Sequence, residues 1–196
     1  MIGLLLSGGM DSTSLAYWKR PDIGFTVDYG QRPAKAETQA SASVCKALGI
    51  RHEIIRVDCS SLGSGDMAGG APSDIAPVPE WWPFRNQMLL TLAGMAAIKF
   101  GVSHLMIGAL ATDGAHTDGR VEFVEAMSSL MSRQEGGITI SAPAITMTAV
   151  ELIQASGVPA EILGWAHSCH VSDFACGQCR GCTKHYETWK ALGKPF

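Results

Sequence analysis

The chain is sparing with charge, and it lacks the features that would take it to a membrane or along a nucleic acid. Only 17% of its 196 residues are charged, and 15 basic against 18 acidic side chains leave a net charge of −3. Without a basic excess there is no electrostatic footprint for bulk nucleic-acid or membrane-surface binding, although a local basic pocket is compatible with this balance. Long apolar runs are missing too. The longest, Met88 to Ile98, falls short of the ~20 residues that span a bilayer, contains Thr91 and Gly94, and is closed by Lys99. No basic stretch precedes the apolar start, so the N-terminus does not read as a secretion signal. The expectation is a cytoplasmic protein with no membrane partner. A hydrophobic content of 46% excludes a disordered chain, and the length suits a single domain with a real core.

What is present begins at residue 1. The apolar run Met1 to Leu6 empties into Ser7-Gly8-Gly9-Met10-Asp11-Ser12, and a helical pattern follows from Asp11 to Lys19. Glycines allow close approach of the backbone to a ligand. A helix start offers unsatisfied N–H groups and the positive end of its dipole. Ser7 and Ser12 add hydroxyls. The pattern suits a phosphate grip, but not a Walker loop, because no Gly-Lys-Ser/Thr follows. A plain strand-to-helix turn with a Ser/Asp cap fits the same letters.

Further along, strands are expected at Ile23–Val27, His52–Val57, Leu105–Gly108 and Ile138–Ile140. They alternate with helices at Ala34–Leu48, Arg85–Phe100, Val121–Ser132 and from the capping box Thr148-Ala149-Val150-Glu151 onward. Gly49 and Gly157 are placed as helix stops. The alternation predicts an α/β, Rossmann-like parallel sheet flanked by helices. Cys59 to Pro83, rich in Gly, Ser and Pro, breaks the rhythm as a long loop. In such a sheet ligands bind beyond the carboxyl ends of the strands. That rim collects Ser7 to Ser12, Asp28-Tyr29-Gly30-Gln31-Arg32 and Thr112 to Arg120, with Arg32, Arg85 and Arg120 facing it. Asp113 and Asp118 suit Mg²⁺, a polar substrate edge or turn capping. Trp81, Trp82 and Phe84 suit stacking on a flat base or anchoring of the loop.

Four of the six cysteines crowd together as Cys169-x6-Cys176-x2-Cys179-x2-Cys182. In a chain without secretion signals this favours metal over disulfides. Four thiolates close a tetrahedral zinc site and leave no place for a catalytic water, so the role would be structural. An iron–sulfur cluster is the competing occupant.

Together these motifs resemble the PP-loop superfamily of N-type ATP pyrophosphatases, and within it the QueC family, nearly end to end. The carriers are the Ser-Gly-Gly-Met-Asp-Ser start, Asp28 to Arg32, Pro83-Phe84-Arg85-Asn86, Asp118-x-Arg120-x-Glu122-Phe123 and the four cysteines. The resemblance implies a PP-loop domain over residues 1–165 and a zinc-binding segment over 166–196, packed as one unit. It implies ATP and Mg²⁺ at Ser7, Gly8, Gly9, Met10, Asp11, Ser12, Asp28 and Arg85, with Ser7, Asp11, Ser12 and Arg85 catalytic. Tyr29, Gln31, Arg32, Asn86, Asp118, Arg120 and Glu122 would hold the substrate, and Cys169, Cys176, Cys179 and Cys182 would hold Zn²⁺. The implied reaction is adenylation of 7-carboxy-7-deazaguanine, amidation by ammonia and dehydration to the nitrile. Ligation of the activated acid to another amine, such as one on a protein, is the alternative, and a non-catalytic nucleotide-binding module is a third reading. Relatives of this kind suggest a homodimer. The chain departs from the pattern at Ala149, where the family has Lys, and at Gly119, where it has Cys.

Overall fold

The computed structural model describes residues 1–114 and 116–193. Five parallel strands form its sheet: β1 (Ile2–Leu5), β2 (Ile23–Asp28), β3 (Arg51–Arg56), β4 (His104–Met106) and β5 (Thr139–Ser141), in the order β3-β2-β1-β4-β5. Gly3 pairs with Ile23 on one side of β1 and with Leu105 on the other. The order reverses direction at β1, which opens a crevice beyond the carboxyl ends of β1 and β4.

Alternation along β1 sorts the core into two layers. Leu4 and Leu6 face α1 (Met10–Lys19) and α2 (Ala34–Leu48), packing with Leu15, Ala16, Val44 and Cys45. Leu5 faces the opposite way, with Phe25, against α4 (Arg85–Ile98) and α5 (Val121–Met131). Helices therefore cover both faces, as the alternation of elements requires.

Local chemistry sets several boundaries. The helix α6 (Ala149–Ser156) opens on the expected capping box: Thr148 Oγ1 accepts from the Glu151 N–H at 3.3 Å, and the Glu151 carboxylate accepts from the Thr148 N–H at 2.7 Å. Its stop is Gly157 in the left-handed conformation, as Gly49 is for α2. The fourth strand is shorter than expected, although the Ile107 N–H still reaches the Ser141 carbonyl at 2.9 Å. The 59–83 loop is partly ordered by a short helix, α3 (Gly65–Ala68), and by Trp82, which is buried edge-on against Tyr29 at 4.9 Å. Trp82 is thus an anchor, whereas Phe84 is exposed.

Local pattern predicts no helix in the cysteine tail. Two follow α6: the single turn α7 (Ala160–Leu163) and α8 (Arg180–Ala191). The second starts inside the cysteine cluster, where Cys179 Sγ accepts from the Cys182 N–H at 3.5 Å. Its Trp189 packs with Met10, Ile153, Val158 and Leu163. The tail thereby returns to the mouth of the sheet. Among the described residues no helix is long and apolar enough to cross a membrane.

Candidate active site

A cavity of about 730 Å³ opens at the carboxyl end of the sheet, where the reversal at β1 predicts one. One end is the β1–α1 loop. Ser7 Oγ lies 3.2 Å from Ser12 Oγ, and the Gly9 N–H points to Ser7 Oγ at 3.4 Å. Gly8 adopts φ +76° and Gly9 caps α1 at φ −72°. The left-handed residue lets the chain turn sharply enough to present the first N–H groups of α1 to the cavity.

Asp11 and the tail meet here. Lys184 Nζ, from α8, lies 2.9 Å from Asp11 Oδ2 and 3.7 Å from Asp113 Oδ1. Burial raises the Asp11 pKa, against the pull of the Lys184 ammonium. Burial works against that ammonium in turn, but Asp11 and Asp113 outweigh it and hold the lysine above its ordinary value. A backbone bond from the His167 N–H to the Gly8 carbonyl, 2.9 Å, fixes the tail over the same loop.

The other end is lined by Tyr29, Glu37, Glu80, Arg85, Asn86 and Arg180. Arg85 acts on both Tyr29 and Glu37. Burial pushes the Tyr29 hydroxyl up, and pushes the Glu37 carboxyl up to about 7 against a hydrogen bond from Gln31 and the charge of Arg85. Glu80 is almost wholly buried and accepts from Arg180 Nη1 at 2.7 Å.

Of the residues singled out in the sequence, the cavity brings together Ser7, Gly9, Met10, Asp11, Ser12, Tyr29, Arg85, Asn86 and Asp113. Most of the others lie behind or outside its wall. Gln31 is buried and holds the β2–α2 turn: its Oε1 accepts from the Tyr29 N–H at 2.8 Å and its Nε2 donates to the Val27 carbonyl at 3.1 Å. Asp118 caps α4, accepting from the Asn86 N–H at 3.1 Å. Asp28 Oδ1 accepts from the Gly30 N–H at 3.3 Å. Arg120 donates to the Gly114 carbonyl at 3.1 Å. Arg32, Arg120 and Glu122 are exposed. Ala149 borders the cavity at the start of α6.

Lys184, Arg180, Glu80 and Glu37 were not found by the sequence reading. Lys184 and Arg180 lie in a segment read for its metal ligands, and Glu80 in a segment read as loop. For Glu37 the signal was faint: one acidic side chain in the first turn of an otherwise Ala-rich helix.

The four Sγ atoms of Cys169, Cys176, Cys179 and Cys182 lie within 4.8 Å of one another. Two of the separations, Cys176–Cys182 and Cys169–Cys179, are 3.9 Å. A tetrahedral ion held by four sulfurs at ~2.3 Å puts those sulfurs about 3.8 Å apart, so the cluster fits one such ion. Backbone N–H groups of Gln178 and Cys179 draw the Cys176 thiol down to about 6. Burial pushes Cys182 up to about 12 and also raises Cys179. A dication lets all four ionise together.

A polar loop at the switch point of a parallel sheet marks a Rossmann-like α/β protein. The chain shares its fold with the structure titled U34-tRNA thiolase NcsA from Methanococcus maripaludis with its [4Fe-4S] cluster, at TM-score 0.50 and 16% identity, over 97% of this chain and 64% of that one. The likeness of sequence is closer to another group. The family model described as "Queuosine biosynthesis protein QueC" matches residues 2–193, and the chain belongs to the QueC family of ATP-dependent enzymes. It is 34% identical to the 7-cyano-7-deazaguanine synthase of Ralstonia pickettii, over 98% of this chain and 95% of that protein. The synthase of Pseudomonas paraeruginosa is 32% identical over 98% and 94%.

Proposed function

We propose that this protein activates 7-carboxy-7-deazaguanine with ATP and carries the acid through the amide toward the nitrile. The observation that carries this reading is the Ser7–Ser12 loop opening on one end of a large cavity in a chain of this family. A free carboxylate is a poor acyl donor, and adenylation supplies a leaving group. In the proposal the substrate carboxylate attacks the α-phosphorus of ATP, a new C–O–P linkage forms, and pyrophosphate leaves. Ammonia then adds to the acyl carbon and AMP departs, giving the amide. A second ATP then adenylates the amide oxygen with release of pyrophosphate; the C–O bond breaks, AMP departs carrying that oxygen, and loss of the two protons on nitrogen leaves the nitrile.

Each role falls to residues of this chain. The hydroxyls of Ser7 and Ser12 and the N–H groups at the start of α1 face the phosphates, with Gly8 shaping the turn and Gly9 leaving the approach free. Arg85 and Lys184 offset charge that grows on the leaving pyrophosphate. Mg²⁺ entering with the nucleotide would supply further neutralisation there. Tyr29 and Asn86 line the acceptor end. We assign Gln31, Asp118 and Asp28 the task of holding that wall rather than touching substrate. The tail would hold one zinc ion and act as a staple, so that residues 1–165 and 166–196 work as one unit in the cytoplasm.

The test is a product assay with purified protein, ATP, ammonia and 7-carboxy-7-deazaguanine. Mass detection should find the nitrile, with two AMP released per nitrile. Accumulation of the amide alone under excess ATP would limit the activity to ligation. Failure of the deazaguanine to stimulate pyrophosphate release would remove the proposal.

A further inference from the structure

The acceptor end of the cavity contains a buried carboxylate of which the fold pairs one oxygen only. Glu80 is 4% exposed, and its Oε1 accepts from Arg180 Nη1 at 2.7 Å. Its Oε2 is buried and has no hydrogen-bond partner among the described residues, yet Glu80 forms part of the cavity wall. A second buried polar atom on the same wall, His170 Nδ1, also lacks a partner. Leaving a buried acceptor of an ionised group unpaired is costly, and the cost is relieved when a ligand brings donors to it.

The backbone around Glu80 is set in advance. The Asp66 N–H donates to the Pro79 carbonyl at 2.9 Å, and Trp82, two residues on, is locked against Tyr29. On the other side Arg180 is the first residue of α8, directly after Cys179, so the cysteine cluster fixes where the guanidinium stands. Arg180 orients the Glu80 side chain through Oε1 and leaves Oε2 without a partner.

We infer that Glu80 is the specificity-determining residue that reads the guanine edge of the substrate, accepting from its ring N–H and its 2-amino group. The inference rests on the deazaguanine reading given above. A guanine-type ring presents those two donors side by side, and a carboxylate presents acceptors in the matching fork. An adenine ring offers an acceptor at the same ring position and has no 2-amino group. Glu80 therefore separates the two purine-like ligands of this reaction, admitting the deazaguanine and turning away the adenine of ATP. Arg180 is a positioning residue that holds the carboxylate in place.

The test compares wild type with Glu80→Gln, using 7-carboxy-7-deazaguanine and the analogue that lacks only the 2-amino group. Binding is measured by calorimetry, alongside pyrophosphate release and ATP affinity. Wild type should bind the amino compound about 10- to 100-fold more tightly than the analogue, the penalty expected for leaving a buried charged acceptor unpaired. Glu80→Gln should lose most of that preference and keep its ATP affinity, which also shows that the variant is folded. Equal binding of both compounds by a wild-type protein that turns them over would overturn the role of Glu80 alone. Full discrimination by Glu80→Gln would do the same. Failure of wild type to bind or turn over either compound would remove the deazaguanine reading and this inference with it.

Discussion

Lys184 Nζ lies 2.9 Å from Asp11 Oδ2, and this contact ties the last helix of the chain to the first loop, across 173 residues. It also bears on Ala149. The resemblance to the family leads one to expect a lysine there, and here the Ala149 methyl group borders the cavity. The ammonium of Lys184 arrives from α8 and places a positive charge beside Asp11 in the Ser7–Ser12 loop.

Replacing Lys184 tests whether that charge works on the nucleotide. Lys184→Met should weaken ATP binding by about 10- to 100-fold, the range for loss of a charge-assisted hydrogen bond. Lys184→Arg should recover most of the loss. Calorimetry with ATP and Mg²⁺ reads both. Unchanged affinity in Lys184→Met would confine the lysine to neutralising Asp11 and Asp113.

The two glycines of the loop, read as a pair in the sequence, separate in the structure. At Gly8, φ is +76° and an added Cβ would meet Ala40 Cβ at 2.7 Å and the Glu37 carbonyl at 2.8 Å. At Gly9 the backbone is ordinary and the nearest atom, Ser7 Oγ, would be 3.5 Å away. Gly8→Ala should therefore cost about 2–4 kcal/mol from left-handed strain and overlap. That corresponds to a melting temperature lower by roughly 5–15 °C for a domain of this size. Gly9→Ala should melt within about 2 °C of wild type and instead lose about tenfold or more in ATP affinity, because only a ligand would fill the space its Cβ takes. A Gly9→Ala protein that binds ATP normally would take Gly9 out of the nucleotide site.

This difference shows how far the sequence was legible. Periodicity and punctuation were enough for the sheet, since Gly49, Gly157 and the Thr148–Glu151 box act within a few residues of themselves. The Ser7–Ser12 turn between β1 and α1 was legible for the same reason. What was not legible depends on long-range return of the chain. Arg32, Asp118 and Arg120 sit at element ends that a rim argument gathers together, but a side chain at a rim can turn to a neighbouring backbone, as Arg120 does to Gly114. Lys184, Arg180 and Glu80 reach the cavity because cysteine geometry and Trp82 carry their segments there. No local pattern of hydrophobicity records that.

The cysteine cluster makes the last prediction, because it is the fixed point from which α8 projects. Cys179 and Cys182 lie in or next to the first turn of α8, and Arg180 and Lys184 project from that turn and the next. Purified protein should contain about one zinc per chain if four sulfurs close a single site. Stripping it with a chelator should do more than lower the melting temperature. Hydrogen exchange should rise along α8, and ATP affinity should fall because Lys184 and the His167–Gly8 backbone bond lose their anchor. Restoring zinc should restore both. A brown protein with iron absorption would replace zinc by an iron–sulfur cluster, and a metal-free protein with unchanged exchange along α8 would show that the helix stands on the packing of Trp189 alone.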